Sequence, residues 1–426
     1  MRSTTKFLAT LAVGTLALTG CSASAPESTP EKLTIWMMTG GPGDNALIQE
    51  VNEEFKKKYP DTTVNIEIQQ WDSIATKLTT ALASNNSPDI VEMGNTQTPL
   101  QTYSGGLSNI TEYKKDFEDS AQWLPGLAAP STYDGDLYAT PLYGGTKVVM
   151  YNTELFTAAG ITTPPSTLEE LLANCDTLAA SQAGVDSFAP FYMPGQYWFA
   201  GAPFVFAAGG EIATEKDGTW AAEMSSEKSQ RGLADWRNFH ETCSIPSSVG
   251  VNTNNPDQTQ LFADGKAAML YVKAWEPASV LEKNPALEGK IGFFAMPGNE
   301  ADRTQPVIVA GSTIGIATQS KNQEQARDWL TIVTGKKFQQ RMATELNLLP
   351  IVPEFIPSSG VTEQLQIAAE AATVSKALPA SPGWAALESE RYNEQFFSSI
   401  AGGADIPAAA AEYDRYVSEA LNSLKR

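Results

Sequence analysis

An apolar run, a glycine turn and a helix-spaced set of apolar residues follow one another over residues 33–58, and that succession restricts the fold more than any other feature. Residues 33–37 read as a strand, Gly40, Gly41, Pro42 and Gly43 as a sharp turn, and the chain from near Asp44 as a helix. Leu47, Ile48, Val51 and Phe55 share one helical face, and three lysines at 56–58 suit its C-terminal end. Val64, Ile66 and Ile68 then alternate with polar residues, residues 73–83 return to a helical pattern, and 89–93 form a third apolar run. This β-α-β-α-β series predicts an α/β fold whose parallel sheet is flanked by helices.

A second α/β region is expected to begin inside residues 138–151, where two apolar runs are broken by Gly144 and Gly145. Ser166, with Glu169 three residues on, reads as a capping box for a helix carrying Leu168, Leu171 and Leu172. Residues 267–271 and 291–294 read as strands of this region, and the Pro/Gly-rich segment 297–311 as the return crossing, with a strand at 314–317 beyond it. Residues 321–335 and 336–346 look helical, as does the Ala-, Leu- and Glu-rich chain from Thr362 onward. No repeat of fixed period is present.

The N-terminus reads as an address. Arg2 and Lys6 precede an uncharged stretch from Phe7 to Gly20, too short for a membrane span of about 20 residues. Leu18, Thr19, Gly20 and Cys21 resemble a bacterial lipobox, which implies cleavage before Cys21, its acylation, and display on the outer face of the cell membrane. Two acyl chains anchor stably where one binds marginally. Residues 1–20 are then a signal and 21–32 a tether, and no later segment reaches 18 apolar residues. Cys175 and Cys243 are left either to join, as an oxidising compartment permits, or to stay as buried thiols.

Charge and composition remove several functions. Lys plus Arg number 29 against 49 Asp plus Glu, a net charge of −20 that becomes −22 once Arg2 and Lys6 are cleaved away, which excludes a phosphate-backbone partner. A single histidine, His240, rules out multi-histidine zinc sites, and no metal or cofactor is expected. No Gly-x-Ser-x-Gly elbow occurs, and the glycine turn lacks the Lys and Ser/Thr of a nucleotide loop, leaving it as either a ligand loop or a plain turn. Tryptophan is abundant, with nine residues, and Trp71, Trp123, Trp198, Trp275 and Trp384 lie in polar or loop-like settings. A sugar ring packs its C–H face on an aromatic plane and needs polar partners around its rim, so Trp beside Asn, Gln or Asp suits carbohydrate.

The order of short motifs resembles the carbohydrate-binding group of extracellular solute-binding lipoproteins of ABC transporters. The matching pieces are Leu33-Thr34-Ile35-Trp36, Ser87-Pro88-Asp89-Ile90-Val91 with Gly94-Asn95-Thr96 after it, and YATPLYGGTKVVMYNTELF at 138–156. PFVFAAGG at 203–210, LFADGKAAML at 261–270, Met296-Pro297-Gly298, Gly311-Ser312 and Ser320-Lys321-Asn322 follow in the group's order. Gly94-Asn95-Thr96-Gln97 together with PASPGWAALE at 379–388 is similar to an actinobacterial branch that includes chitobiose and other disaccharide binders. Lys147 departs from the arginine frequent in relatives, and the loops around Gln196 and Asn252 have no counterpart.

The resemblance implies a periplasmic-binding-protein-like fold of two α/β lobes, joined by a hinge of crossing strands with a ligand cleft between them. The first lobe would comprise residues 33–142 and 308–355, the second 143–307 and 356–426. It also implies a monomeric, non-enzymatic receptor that binds a neutral oligosaccharide and passes it to a permease. By matching position, the ligand-binding residues would be Asp44, Asn95, Thr96, Gln97, Tyr143, Gly145, Trp198, Trp275, Gly311, Ser312 and Trp384, with Trp384 closing the site from above. Trp71 is a weaker candidate, expected to be core-packed. Two other readings stay open: a lipid-anchored glycoside hydrolase using two of the many carboxylates, and a receptor for a non-sugar solute.

Overall fold

The computed structural model describes residues 32–424 apart from 72, 73 and 302, so the expected signal, Cys21 and nearly all of the tether lie outside the described residues. Strands β1 (Lys32–Met38), β2 (Thr63–Gln69), β3 (Ile90–Gly94) and β4 (Ala139–Gly145) belong to a first sheet. The chain then crosses to a second sheet of β5 (Val148–Asn152), β6 (Ala189–Tyr192), β7 (Ala267–Val272) and β8 (Ile291–Phe294), and returns with β9 (Ala310–Ile316). Strand order is β2-β1-β3-β9-β4 in the first sheet and β8-β5-β7-β6 in the second.

The parallel arrangement expected from the sequence holds for β1, β2 and β3 in the first sheet and for β6 beside β7 in the second, and the other pairings are antiparallel. β9 comes back from the other lobe and lies antiparallel to both β3 and β4, while β5 is antiparallel to β7 and β8. Tyr143, Gly144 and Gly145, placed above in the second lobe, still pair with β9 in the first sheet, so the first crossing is Thr146–Lys147.

The interior strands β3, β5 and β7 are buried on both faces, which is why they are nearly continuous apolar runs, while the edge strand β2 alternates. Leu33, Ile35 and Met37 of β1 pack with Leu47, Ile48, Val51 and Phe55 on one side. Met38, Val91 and Met93 meet Leu78 and Leu82 of helix Ile74–Leu82 on the other. In the second lobe Val149 joins the large core of Phe191, Trp236, Phe239 and Phe397, while Val148 and Met150 face Phe262 and Val280. Each such side chain, fully buried, contributes about 1.5–3 kcal/mol.

Local signals shift by a residue or two. The first helix is Ala46–Lys56, with Asn45 Oδ1 accepting from Leu47 N at 2.9 Å, because Pro42–Asp44 form a tighter 3₁₀ turn before it. Helix Leu168–Ser181 is capped by Thr167, not Ser166: Thr167 Oγ1 accepts from Glu170 N at 3.1 Å, and Glu170 Oε2 accepts from Ser166 N at 2.7 Å. β9 starts four residues before the expected strand, inside the segment read as the crossing. The C-terminal region is helical over Glu363–Ala372, Trp384–Ser389, Tyr392–Ala401 and Ile406–Leu421. Among the described residues no helix is long and apolar enough to cross a membrane.

Cys175 and Cys243, both fully buried, form a disulfide between helices Leu168–Ser181 and Glu227–Cys243, with their Cα atoms 5.1 Å apart. His240, one turn before Cys243, is buried with Nε2 3.1 Å from Ser248 Oγ, and burial pushes its pKa down to about 4. The unfolded chain takes up this proton near pH 6.5 and the folded chain only near 4. The neutral ring therefore supplies stability that is intact above pH 6.5 and lost as pH falls through 4, roughly 3 kcal/mol in all. Because His240 is the single histidine, one imidazole NMR signal reports it. That signal is expected to keep its neutral shift at pH 5.5; a midpoint near 6.5 would refute the assignment.

Candidate functional site

The two lobes enclose a cavity of about 990 Å³. The first-lobe wall is built from the C-terminal ends of its parallel strands: Thr39 and Gly40 after β1, Trp71 after β2, and Gly94, Asn95 and Thr96 at and after β3. Open α/β sheets present their ligand loops at this edge. The antiparallel β9 enters the same edge from its N-terminal end with Ala310, Gly311 and Ser312, beside Tyr143, Gly144 and Gly145 of β4. Only glycine suits position 311, since a Cβ there would stand 2.3 Å from the Tyr143 carbonyl oxygen. The opposite wall is Lys147, Tyr197 and Phe199 with Lys273, Ala274 and Trp275 beyond β7.

Eight of the residues expected from the sequence therefore line the cavity: Asn95, Thr96, Tyr143, Gly145, Trp275, Gly311, Ser312 and Trp71. Trp71 is 41% exposed rather than core-packed, its indole held by a 3.0 Å bond from Nε1 to Thr39 O. Trp275 is 64% exposed, with Lys273 Nζ 5.1 Å from its ring centroid. Four expected residues do not line the cavity. Trp198 and Trp384 are 4% and 0% exposed and pack on each other in the second-lobe core, ring centroids 6.0 Å apart. Asp44 is spent on the turn, accepting from Gly40 N at 3.1 Å, and Gln97 lies against Gly94 outside the wall.

Polar groups of the wall are held in place from behind. Glu92, fully buried beneath the first-lobe wall, accepts from Met38 N and from Tyr143 Oη, each at 2.9 Å. Burial raises the Glu92 carboxyl, and burial together with that neighbouring carboxyl raises the Tyr143 phenol, so the pair shares a proton-bearing bond that orients Tyr143. Asn95 Nδ2 donates to Val309 O at 3.1 Å. Thr96 Oγ1 donates to Glu388 Oε2 at 3.0 Å, joining the loop after β3 to helix Trp384–Ser389, and burial raises the Glu388 carboxyl. Asn347 Nδ2 reaches Ala274 O at 3.4 Å between the lobes.

Sequence reasoning missed Tyr197, Phe199, Lys147, Lys273, Asn347 and Glu388. Glu388 stood in the quoted PASPGWAALE segment and Lys147 at a position marked as a departure, so both carried a signal. Tyr197 and Phe199 flank Trp198 in a helix end that is apolar all round, where periodicity gives no direction. Lys147 is buried, with Nζ 4.2 Å from the Phe199 centroid and 5.8 Å from that of Tyr197. Burial, and then the nearby Lys273, push its pKa down to about 7, and Glu276 opposes them weakly. Among the described residues no group of three or more His, Cys, Asp or Glu is placed to hold a metal ion.

Residues 40–340 match the family model for bacterial extracellular solute-binding proteins. The chain belongs to that family. This solute-binding protein is 29% identical over 393 residues to the diacetylchitobiose binding protein DasA of Streptomyces coelicolor, a match covering 92% of this chain and 90% of that one. It is 26% identical over 327 residues to a lactose-binding protein of Rhizobium radiobacter, covering 74% and 73% of the two chains. Its fold is that of the sugar-binding protein MalE from Xanthomonas citri, with a TM-score of 0.80 at 21% identity over 92% of this chain and 98% of that one. The two-lobed architecture with a cleft between sheets is thus established for the solute-binding protein, and its family binds solutes without transforming them.

Proposed function

We propose that this protein captures a neutral, disaccharide-sized and chitobiose-like saccharide between its lobes and delivers it to the permease of an ABC importer, as a monomer anchored outside the cell membrane through acylated Cys21. The observation that carries this reading is the pair of exposed tryptophans, Trp71 on the first lobe and Trp275 on the second, lining one cavity with Asn95, Thr96 and Tyr143. The cavity lies at the upper end of the ~300–1,000 Å³ typical of small-molecule sites. Each aromatic stack adds about 0.5–1.5 kcal/mol beyond area burial and each neutral hydrogen bond a similar amount, so two stacks and several bonds supply a large part of the roughly 8 kcal/mol of micromolar binding, with apolar burial adding to them and offsetting the ordering cost. Contact with both lobes is what lets a ligand favour a closed state. The likeness to diacetylchitobiose- and lactose-binding relatives supports the saccharide class.

A soluble form starting at Ser22 tests it in a thermal-shift screen against diacetylchitobiose, cellobiose, maltose and trehalose. At 100 times its Kd one of these sugars is expected to add about 2.7 kcal/mol and be recovered unchanged. No shift with any of the four would overturn the saccharide reading, and consumption of the sugar would overturn the receptor reading.

A further inference from the structure

Lys147 is a cavity residue whose side chain is buried and whose ammonium, among the described residues, is unanswered. Its side chain is more than nine-tenths buried, yet among the described residues its Nζ makes no hydrogen bond and no ion pair, only ring contacts with Phe199 and Tyr197. An ammonium carries three donors and no acceptor, and burying one without acceptors is costly. The carboxylate whose charge reaches it, Glu276, is already committed: Oε1 accepts from Gln258 Nε2 at 2.7 Å and Oε2 from Lys273 N at 2.6 Å. Lys273, on the same wall, adds a second positive charge. The wall around Lys147 is thus cationic and apolar, while Thr96 and Glu388 make a carboxyl-bearing wall elsewhere in the cavity.

We infer that Lys147 is a specificity-determining residue of the cleft, selecting saccharides that bring an exocyclic sp² oxygen, from an acetamido or a carboxylate substituent, to its ammonium. The inference rests on the saccharide reading above and names a feature of the ligand that reading does not. An sp² oxygen accepts without bringing a hydrogen of its own to an ammonium that can only donate, and a charge-assisted bond is about twice as strong as a neutral one. A ring hydroxyl brings both a donor and an acceptor and leaves its own hydrogen facing the ring walls of Phe199 and Tyr197. Burial and the neighbouring Lys273 disfavour the Lys147 ammonium in the empty cleft, and an sp² oxygen bound to it would hold it in the charged form that donates.

Three β-1,4-linked disaccharides with one frame separate the cases: diacetylchitobiose, cellobiose and cellobiouronate, titrated calorimetrically into the full mature chain and into Lys147→Met. The wild type is expected to bind diacetylchitobiose or cellobiouronate at least tenfold more tightly than cellobiose, and which of the two it prefers identifies the substituent. Lys147→Met is expected to shrink that preference below threefold, chiefly by weakening the substituted sugars. A preference retained in Lys147→Met, an equal loss for all three sugars, or equal wild-type affinity for all three would each overturn the inference. Failure of the saccharide reading looks different, since the wild type would then bind none of them. Replacing an unpaired ammonium with an apolar chain of similar length is expected to leave the melting temperature unchanged or higher, and Lys147→Gln provides a second variant for the same comparison.

Discussion

Replacing Trp71 and Trp275 together with alanine is expected to weaken saccharide binding by more than 100-fold while the fold survives. Both side chains are exposed and contribute little to either core, so the ligand-free protein loses only the surface-substitution amount, within about 0.5 kcal/mol each. In the complex each indole becomes a buried stacking platform, and truncation of a tryptophan so placed costs about 2 kcal/mol or more. Two such losses on separate lobes add nearly independently, since the residues share no hydrogen-bond partner. Each single variant is accordingly expected to lose at least tenfold. Isothermal titration with the sugar found in the thermal-shift screen measures this, with circular dichroism to verify the fold. A double variant that binds within threefold of the wild type would remove both tryptophans from the site.

Removing the Cys175–Cys243 disulfide is the second large effect. The cysteines are 68 residues apart in sequence, and closing a loop of that size restricts the unfolded chain by about 4 kcal/mol in the chain-entropy account. Both sulfurs sit among the buried residues of the second-lobe core, so the Cys175→Ala, Cys243→Ala double variant also leaves a small cavity there. Urea unfolding followed by tryptophan fluorescence is expected to show the second-lobe transition destabilised by about 4 kcal/mol, with a first-lobe transition at its wild-type position. A loss below 1 kcal/mol would mean that the bridge closes a loop already constrained in the unfolded state.

The framework was legible because periodicity carries it. The spacing of Leu47, Ile48, Val51 and Phe55 could be satisfied only by a helix laid on a sheet, and the alternation of Val64, Ile66 and Ile68 only by a strand. Direction was legible for β1, β2 and β3 and not for the strand that returns from the other lobe. β9 contains Gly311 and Ser312, which read as loop, because its pairing partners are distant in sequence. The tryptophans were harder still. Trp384, next to Pro382 and Gly383, resembles an exposed loop residue, but the loop is pressed onto helix Ile406–Leu421 so closely that a Cβ on Gly383 would lie 2.0 Å from Ala420 O. That docking turns Trp384 inward, and nothing local announces it. Trp71 shows the reverse case, a residue that looks like core until the strand edge it follows proves to be the mouth of a cleft.

The place of β9 in the first sheet also governs the order in which the molecule can be completed. Glu92 of β3 pairs with Ile314 of β9, and Thr140 of β4 pairs with the same residue from the other side. Until residue 316 has arrived, β3 and β4 each keep an open edge, and the first lobe holds a three-stranded sheet and the single strand β4 with nothing to join them. A chain that emerges N-terminus first therefore cannot lock its leading lobe, however much of it has been made. Contacts this distant in sequence also form slowly. In a family whose members work outside the cell, this late interior strand leaves the leading lobe unset until all four strands of the other lobe's sheet have been made, though not the C-terminal helices that complete that lobe's core.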